Sequence, residues 1–230
     1  MSRRRRRPSR ARPRAGTVIL ILLIGGAALV STWIEQLREG PPRPASHSGE
    51  TSGAPKRPEQ GKFEILTGLR LKSDRDNDGD SFILAGPDGD SHHFRIYFVD
   101  APEKRLHRFN GERIDQQAAY FSITREQAIQ AGEEARVLVD RLLRERPFHV
   151  ATRWRRVFDS DRYYAFVFFD DSGEDISEIL VSHGLARIHT EGADLPDGRR
   201  RRAFEAHLRS LEAEAGRQRK GAWRWSPRGN

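Results

Sequence analysis

Two short acidic strings hold the residues best suited to chemistry. In Asp78-Gly79-Asp80-Ser81 a turn delivers one carboxylate, Asp80, to the mouth of the strand that starts at Ser81. The second string, Val99-Asp100-Ala101-Pro102-Glu103, follows Phe94-Arg95-Ile96-Tyr97-Phe98. Pro102 forces Ala101 out of the helical region, so the chain leaves the strand extended and brings the Asp100 carboxylate, the Ala101 carbonyl and Glu103 near one another. These are hard oxygen donors. If the strand starting at Ser81 pairs with the one ending at Val99, Asp80 and Asp100 reach the same end of a barrel, where two bare carboxylates would repel and a hydrated Ca²⁺ would relieve the repulsion. The D-x-D-x-D-G string from Asp74 to Gly79 is not an EF-hand: its twelfth position is Ala85, where a bidentate Glu is required, and a strand follows it. An acidic turn alone is usually just solvated, so the weight rests on the pair.

Two arginines extend the set. Arg95 is out of phase with the apolar stripe Phe94, Ile96 and Phe98, and Arg162 opens the strand that runs to Phe169. Each alone reads as a surface ion-pair partner. Beside an oxygen-rich cation site they read as a phosphate clamp, because guanidinium binds phosphate oxygens bidentately and stays charged.

The elements that must position these residues are short strands followed by helices. Phe63, Ile65, Leu69 and Leu71 mark a strand over Lys62 to Lys72, Ser81 to Leu84 a second, and Ser91 to Val99 a third, with a turn at Gly86-Pro87-Asp88-Gly89. Ala135, Leu138, Val139 and Leu142 predict an amphipathic helix from Glu133 to Arg146, stopped by Pro147. Phe148 to Trp154 and Arg162 to Phe169 are two further strands. Asp175 with Glu178 is a capping box opening a helix to about Leu185, and Phe204, Leu208 and Leu211 mark a last helix over about Arg199 to Gly216. The order predicts an α+β domain: a small closed five-stranded barrel with three helices packed outside it.

D-G-D-S at Asp78 to Ser81, F-R-I-Y-F-V-D-A-P-E at Phe94 to Glu103, D-R-Y-Y-A-F-V at Asp161 to Val167, H-G-L-A-R-I at His183 to Ile188 and the closing Gly221-Ala222-Trp223 together resemble the staphylococcal nuclease family over residues 61–225. The resemblance implies an OB-fold barrel and a Ca²⁺-dependent phosphodiesterase acting on DNA and RNA. It implies Asp80 and Asp100 as metal carboxylates, the carbonyl of Ala101 as a further ligand, Glu103 as the general base for the attacking water, and Arg95 and Arg162 as the pair holding the scissile phosphate. The sequence also departs from the family pattern. The Lys-Tyr-Gly-Arg type of turn is replaced by Asp159-Ser160-Asp161-Arg162, and the aromatic pair that covers base and ribose by His189-Thr190, leaving His189 as the candidate stacking surface. The stretch between Glu103 and Glu133, residues 104–132, is longer than the family minimum; Arg105, His107 and Arg108 early in it could supply substrate contacts, but a solvated excursion is the favoured reading.

Two other readings compete, and the composition excludes several more. A noncatalytic OB-type module for nucleic acid or protein would not need all five catalytic side chains that the resemblance implies. A glycosidase using Asp100 and Glu103 would need carboxylates on opposite sides of its substrate, and these share one loop. A disulfide-stapled mini-protein, a cysteine-ligated zinc module and a thiol enzyme are excluded by the absence of cysteine.

Charge and hydropathy divide the rest of the chain. Residues 1–14 hold eight arginines and no acid, and without them 33 basic residues face 33 acidic ones, so the net charge of +8 says nothing about polyanion binding by the domain. Residues 15–34 are 20 uncharged residues, about 30 Å as a helix, and predict a membrane span with Trp33 as an interfacial anchor. The arginine run places the N-terminus in the cytoplasm and the domain outside, secreted if the leader is cut. Residues 35–60, with five of the twelve prolines, form a disordered tether, and 226–230 a tail.

Overall fold

The computed structural model describes residues 62–227. The basic segment, the span at 15–34 and the tether at 35–60 lie outside the described residues, among which no helix is long and apolar enough to cross a membrane.

Along the chain come β1 (Glu64–Leu66), β2 (Arg70–Leu71), β3 (Ser81–Ala85), β4 (Ser91–Ile96) and β5 (Val99–Asp100). After them follow α1 (Gly111–Phe121), α2 (Arg125–Glu145), β6 (Phe148–Arg156), β7 (Arg162–Phe169), α3 (Ile176–Ser182), β8 (Arg187–Ile188), α4 (Arg201–Arg217) and a 3₁₀ turn, Gly221–Trp225. The α+β class stands. β1 to β4 with β6 and β7 form one mixed six-stranded sheet in the order β1-β6-β7-β4-β3-β2, in which only β4 and β7 are parallel, and β5 pairs with β8 separately.

The closed five-stranded barrel is not found. The strand expected over Lys62 to Lys72 breaks in two at Gly68, whose φ of +70° turns the chain, so β1 pairs with β6 at one edge and β2 with β3 at the other. The two edges are joined by the bend at 67–69, and no ladder between β1 and β2 is present among the described residues.

Helices also differ from expectation, with four where three were expected. The stretch 104–132 is not a solvated excursion: it contains α1 and the first two turns of α2. Helix α1 buries Ile114, Gln117, Ala118 and Phe121 on one face and ends at Ser122 in the left-handed region. The start of α2 is fixed eight residues earlier than predicted by a capping box in which Thr124 accepts from the Gln127 N–H and Gln127 from the Thr124 N–H. The capping box predicted at Asp175 and Glu178 is present and opens α3. Helix α4 buries Phe204 and Leu208, while Leu211 is only partly covered.

The core lies between the sheet and α2. Phe82, Leu84, Phe94, Ile96, Val150 and Phe166 from the sheet and Ala131 and Ala135 from α2 have no exposed surface. Each large apolar side chain so buried contributes roughly 1.5–3 kcal/mol.

Candidate active site

The register of β3 and β4 fixes the first half of the site. Ser81 pairs with Arg95, and the Ile96 N–H donates to the Asp80 carbonyl at 2.9 Å, so Asp80 stands beside the end of β4. The second half depends on Phe98, whose φ of +67° is costly for a bulky residue. That conformation is held from both sides: the Phe98 N–H donates to the Glu191 carbonyl at 2.8 Å, and the Phe98 carbonyl accepts from His189 N–H at 2.9 Å and Thr190 N–H at 3.2 Å. The strand expected to continue to Val99 therefore ends at Ile96. The chain restarts as β5, where Asp100 pairs with Arg187 of β8 and turns back toward Asp80.

Arg95 is buried at the meeting point, not projecting from the sheet. Its Nη1 donates to Asp80 Oδ1 and its Nη2 to Asp100 Oδ1, both at 2.6 Å. Asp80 Oδ2 accepts from the Ala101 N–H at 2.6 Å. Asp100 is more heavily served: Arg113 Nη2 at 2.5 Å, Gln117 Nε2 at 2.9 Å and Arg187 Nε at 2.8 Å also donate to it. Their surroundings push the two carboxyls apart. Burial, outweighing Arg95, raises Asp80 to about 6, and the nearby Asp100 charge adds to the rise. Burial also pushes Asp100 upward, but Arg95, Arg113, Gln117 and Arg187 together overcome it and hold Asp100 well below the ordinary carboxylate range.

Helix α1 supplies residues that the sequence reading missed. Arg113 bridges Asp100 and Glu103, lying 3.1 Å from Glu103 Oε1. Gln117, fully buried, donates to the Ala101 carbonyl at 2.9 Å as well as to Asp100, and its Oε1 accepts from the Glu103 N–H at 3.0 Å. Just before the helix, Asn110 Nδ2 donates to Glu103 Oε2 at 3.1 Å. The available signal was Ile114, Ala118 and Phe121 at helical spacing, which places Arg113 and Gln117 one turn apart on a single face.

A cavity of about 330 Å³ opens over this network, and Asp80, Arg95, Ala101, Glu103 and Arg162 all line it. Asp100 lies behind Arg95 and is not on the lining; His189 is exposed and not on it either. Arg162 is half-buried and pairs with no carboxylate among the described residues. Burial and the neighbouring Arg95 and Arg113 charges pull its pKa below the usual arginine value, against the opposing pull of Asp80. Between the two clamp arginines, Ser81 Oγ and His93 Nε2 are hydrogen-bonded at 2.9 Å. Burial and the Arg162 charge lower the His93 pKa.

The donor set suits a hard cation in kind. Asp80, Asp100 and the Ala101 carbonyl offer only oxygen, and both carboxylates already converge on one positive centre, the Arg95 guanidinium. Asp78 adds a buried oxygen on the same cavity: its Oδ1 has no hydrogen-bonding partner, although Lys104 Nζ lies 3.2 Å away. The set holds fewer than three clustered His, Asp or Glu ligands, since no such cluster is present among the described residues.

No curated protein matches the chain in a sequence comparison. A family model does, that of the staphylococcal nuclease homologues, over residues 93–225, from the clamp strand β4 through the 3₁₀ turn. More than half of the chain is covered, the match includes Arg95, Asp100, Glu103 and Arg162, and the chain belongs to the staphylococcal nuclease homologue family, whose members are nucleases.

Proposed function

We propose that this chain is a Ca²⁺-dependent phosphodiesterase that hydrolyses DNA and RNA strands in the cavity over Asp80 and Arg95. The observation that carries this reading is Arg162: a half-buried guanidinium without a carboxylate partner among the described residues, sharing a cavity with Glu103 and Arg95. A half-buried guanidinium with no carboxylate beside it, its Nε 3.5 Å from Ser160 Oγ, is available to pair with a phosphate anion.

Arg95 and Arg162 hold the non-bridging phosphate oxygens and stabilise the charge that grows on them as water adds to phosphorus. Arg113 adds a third guanidinium at the rim and keeps Glu103 oriented. Glu103, also held by Asn110, accepts a proton from the attacking water as the new P–O bond forms and the old one breaks. Asp80, Asp100 and the Ala101 carbonyl would hold Ca²⁺, which when bound supplies a Lewis acid to the phosphoryl oxygen. His189, outside the cavity lining, is a stacking residue only for a base that leaves the cavity on that side.

One observation favours a noncatalytic binding module instead: both oxygens of Asp80 and of Asp100 already accept hydrogen bonds from the chain itself. The purified protein separates the two readings. With Ca²⁺ it should degrade plasmid and heat-denatured DNA, and chelation should stop it; intact DNA under calcium supports the binding module.

Residues 15–34 support a membrane tether with the domain on the outer side of the cytoplasmic membrane. Protease added to intact spheroplasts should remove the domain and spare the arginine-rich end, and a protected domain refutes that topology.

A further inference from the structure

Phe109 is 83% exposed, yet it lines the active-site cavity. A phenyl ring held in solvent at the rim of a polar cavity contributes nothing to the core, so its position calls for another account. Residues 104–108 of the loop that presents it read Lys-Arg-Leu-His-Arg; Lys104 pairs with Asp78 at 3.2 Å and Arg105 with Asp76 at 3.3 Å, which leaves Arg108 as the cation beside the ring. Arg108 lies with its Cζ 5.3 Å from the Phe109 ring centroid and pairs with no carboxylate among the described residues. The loop is also tied down. Asn110, itself buried, accepts from the His107 N–H at 2.9 Å and donates to the Arg105 carbonyl at 2.9 Å and to Glu103 Oε2 at 3.1 Å, while the Phe109 N–H donates to His107 Nδ1 at 3.3 Å. The backbone that carries the ring is thereby held beside Glu103, so the loop itself need not be ordered on binding.

We propose that Phe109, with Arg108, forms a nucleobase subsite at the cavity mouth, stacking an unpaired base of the strand whose phosphate enters the cavity. This rests on the hydrolytic reading above. The Arg108 guanidinium favours this occupant: it attracts a polyanionic strand, and an aromatic face with an adjacent guanidinium binds any base. Inside a duplex both faces of a base are covered by its stacked neighbours, so the subsite selects single-stranded or frayed substrate.

The test uses the full-length protein, wild type and Phe109→Ala, with Ca²⁺, on a fluorescein-labelled single-stranded thymidylate oligonucleotide and on an abasic strand of the same length. Stacking is worth about 1–3 kcal/mol per base, roughly 5- to 150-fold. Phe109→Ala is expected to lose about tenfold in kcat/KM on the thymidylate strand, through KM, and to match wild type on the abasic strand, with an unchanged melting temperature. Equal kcat/KM of the two proteins on thymidylate, or an equal loss on both strands, overturns the subsite and leaves the hydrolytic reading standing. If wild type cleaves neither strand the hydrolytic reading falls, and fluorescence anisotropy decides the subsite. A loss of affinity confined to the thymidylate strand then supports it, and equal affinities overturn it.

Discussion

A Cβ atom on Gly132 would stand 2.6 Å from the carbonyl oxygen of Glu103. Helix α2 therefore packs its backbone directly against the loop that presents the candidate base, and the glycine is required by that approach. Its φ lies outside the left-handed region, so the conformation itself makes no such demand. Gly132→Ala must push the 102–103 backbone away or displace the helix. A stability loss of about 1–3 kcal/mol is expected, together with a fall in kcat, measured by urea unfolding and turnover on the same preparation. An alanine variant with unchanged turnover would mean that the position of Glu103 does not matter to the reaction.

Gln117 makes three hydrogen bonds in the site, as Asn110 does. Replacing it with Leu leaves the Ala101 carbonyl and the Glu103 N–H without their buried partner and removes one donor from Asp100. We expect a loss of about 2–3 kcal/mol in urea unfolding, which a surface substitution would not produce.

The two clamp arginines should separate stability from catalysis. Arg95 is the shared partner of two buried carboxylates, so Arg95→Ala should cost about 3–5 kcal/mol. Arg162 pairs with no carboxylate among the described residues, so Arg162→Ala should change stability by no more than about 0.5 kcal/mol while lowering kcat roughly 10²- to 10³-fold. Thermal melts and turnover numbers of both variants check the contrast; equal destabilisation would give Arg162 a structural role.

Asp175 provides a pH prediction remote from the cavity. Burial pushes its carboxyl up to about 7, despite hydrogen bonds from the Ser177 hydroxyl, the Ser177 N–H and the Val167 N–H. The folded state therefore binds more protons than the unfolded chain between about pH 4 and pH 7. Stability from this group is full below the unfolded value and is lost as pH rises through the folded one. Asp175→Asn keeps the helix cap and abolishes the titration. The stability of wild type relative to this variant should fall by on the order of a few kcal/mol from pH 4 to pH 7, read from urea unfolding at each pH. A pH-independent difference would show that Asp175 is ionised throughout.

What was legible in the sequence follows from how local each signal is. The Asp175–Glu178 capping box and the Gly86–Gly89 turn are short-range patterns and appear where expected. The pairing of β3 with β4, and with it the approach of Asp80 to Arg95 and Asp100, followed from alternation and one turn. The break at Phe98 was invisible because no proline or glycine marks it; its positive φ is imposed by partners at His189, Thr190 and Glu191, some ninety residues away. Helix α1 was hidden by its small apolar stripe among Arg, Asp and Gln. With it were hidden Arg113 and Gln117, which bind the two acidic strings into one network. The Thr124–Gln127 box is the same short-range pattern as the one at Asp175, set in the stretch expected to be a solvated excursion.

In the proposed reaction Glu103, held by Arg113 and Asn110, takes a proton from the attacking water. The most direct test compares wild type with Glu103→Gln on heat-denatured DNA at saturating Ca²⁺, with melting temperatures measured in parallel. Ca²⁺-dependent cleavage by wild type is expected, with a loss of about 10²- to 10⁴-fold in kcat for the variant, which keeps the fold. Equal turnover by the two proteins, or no cleavage by wild type, would contradict it.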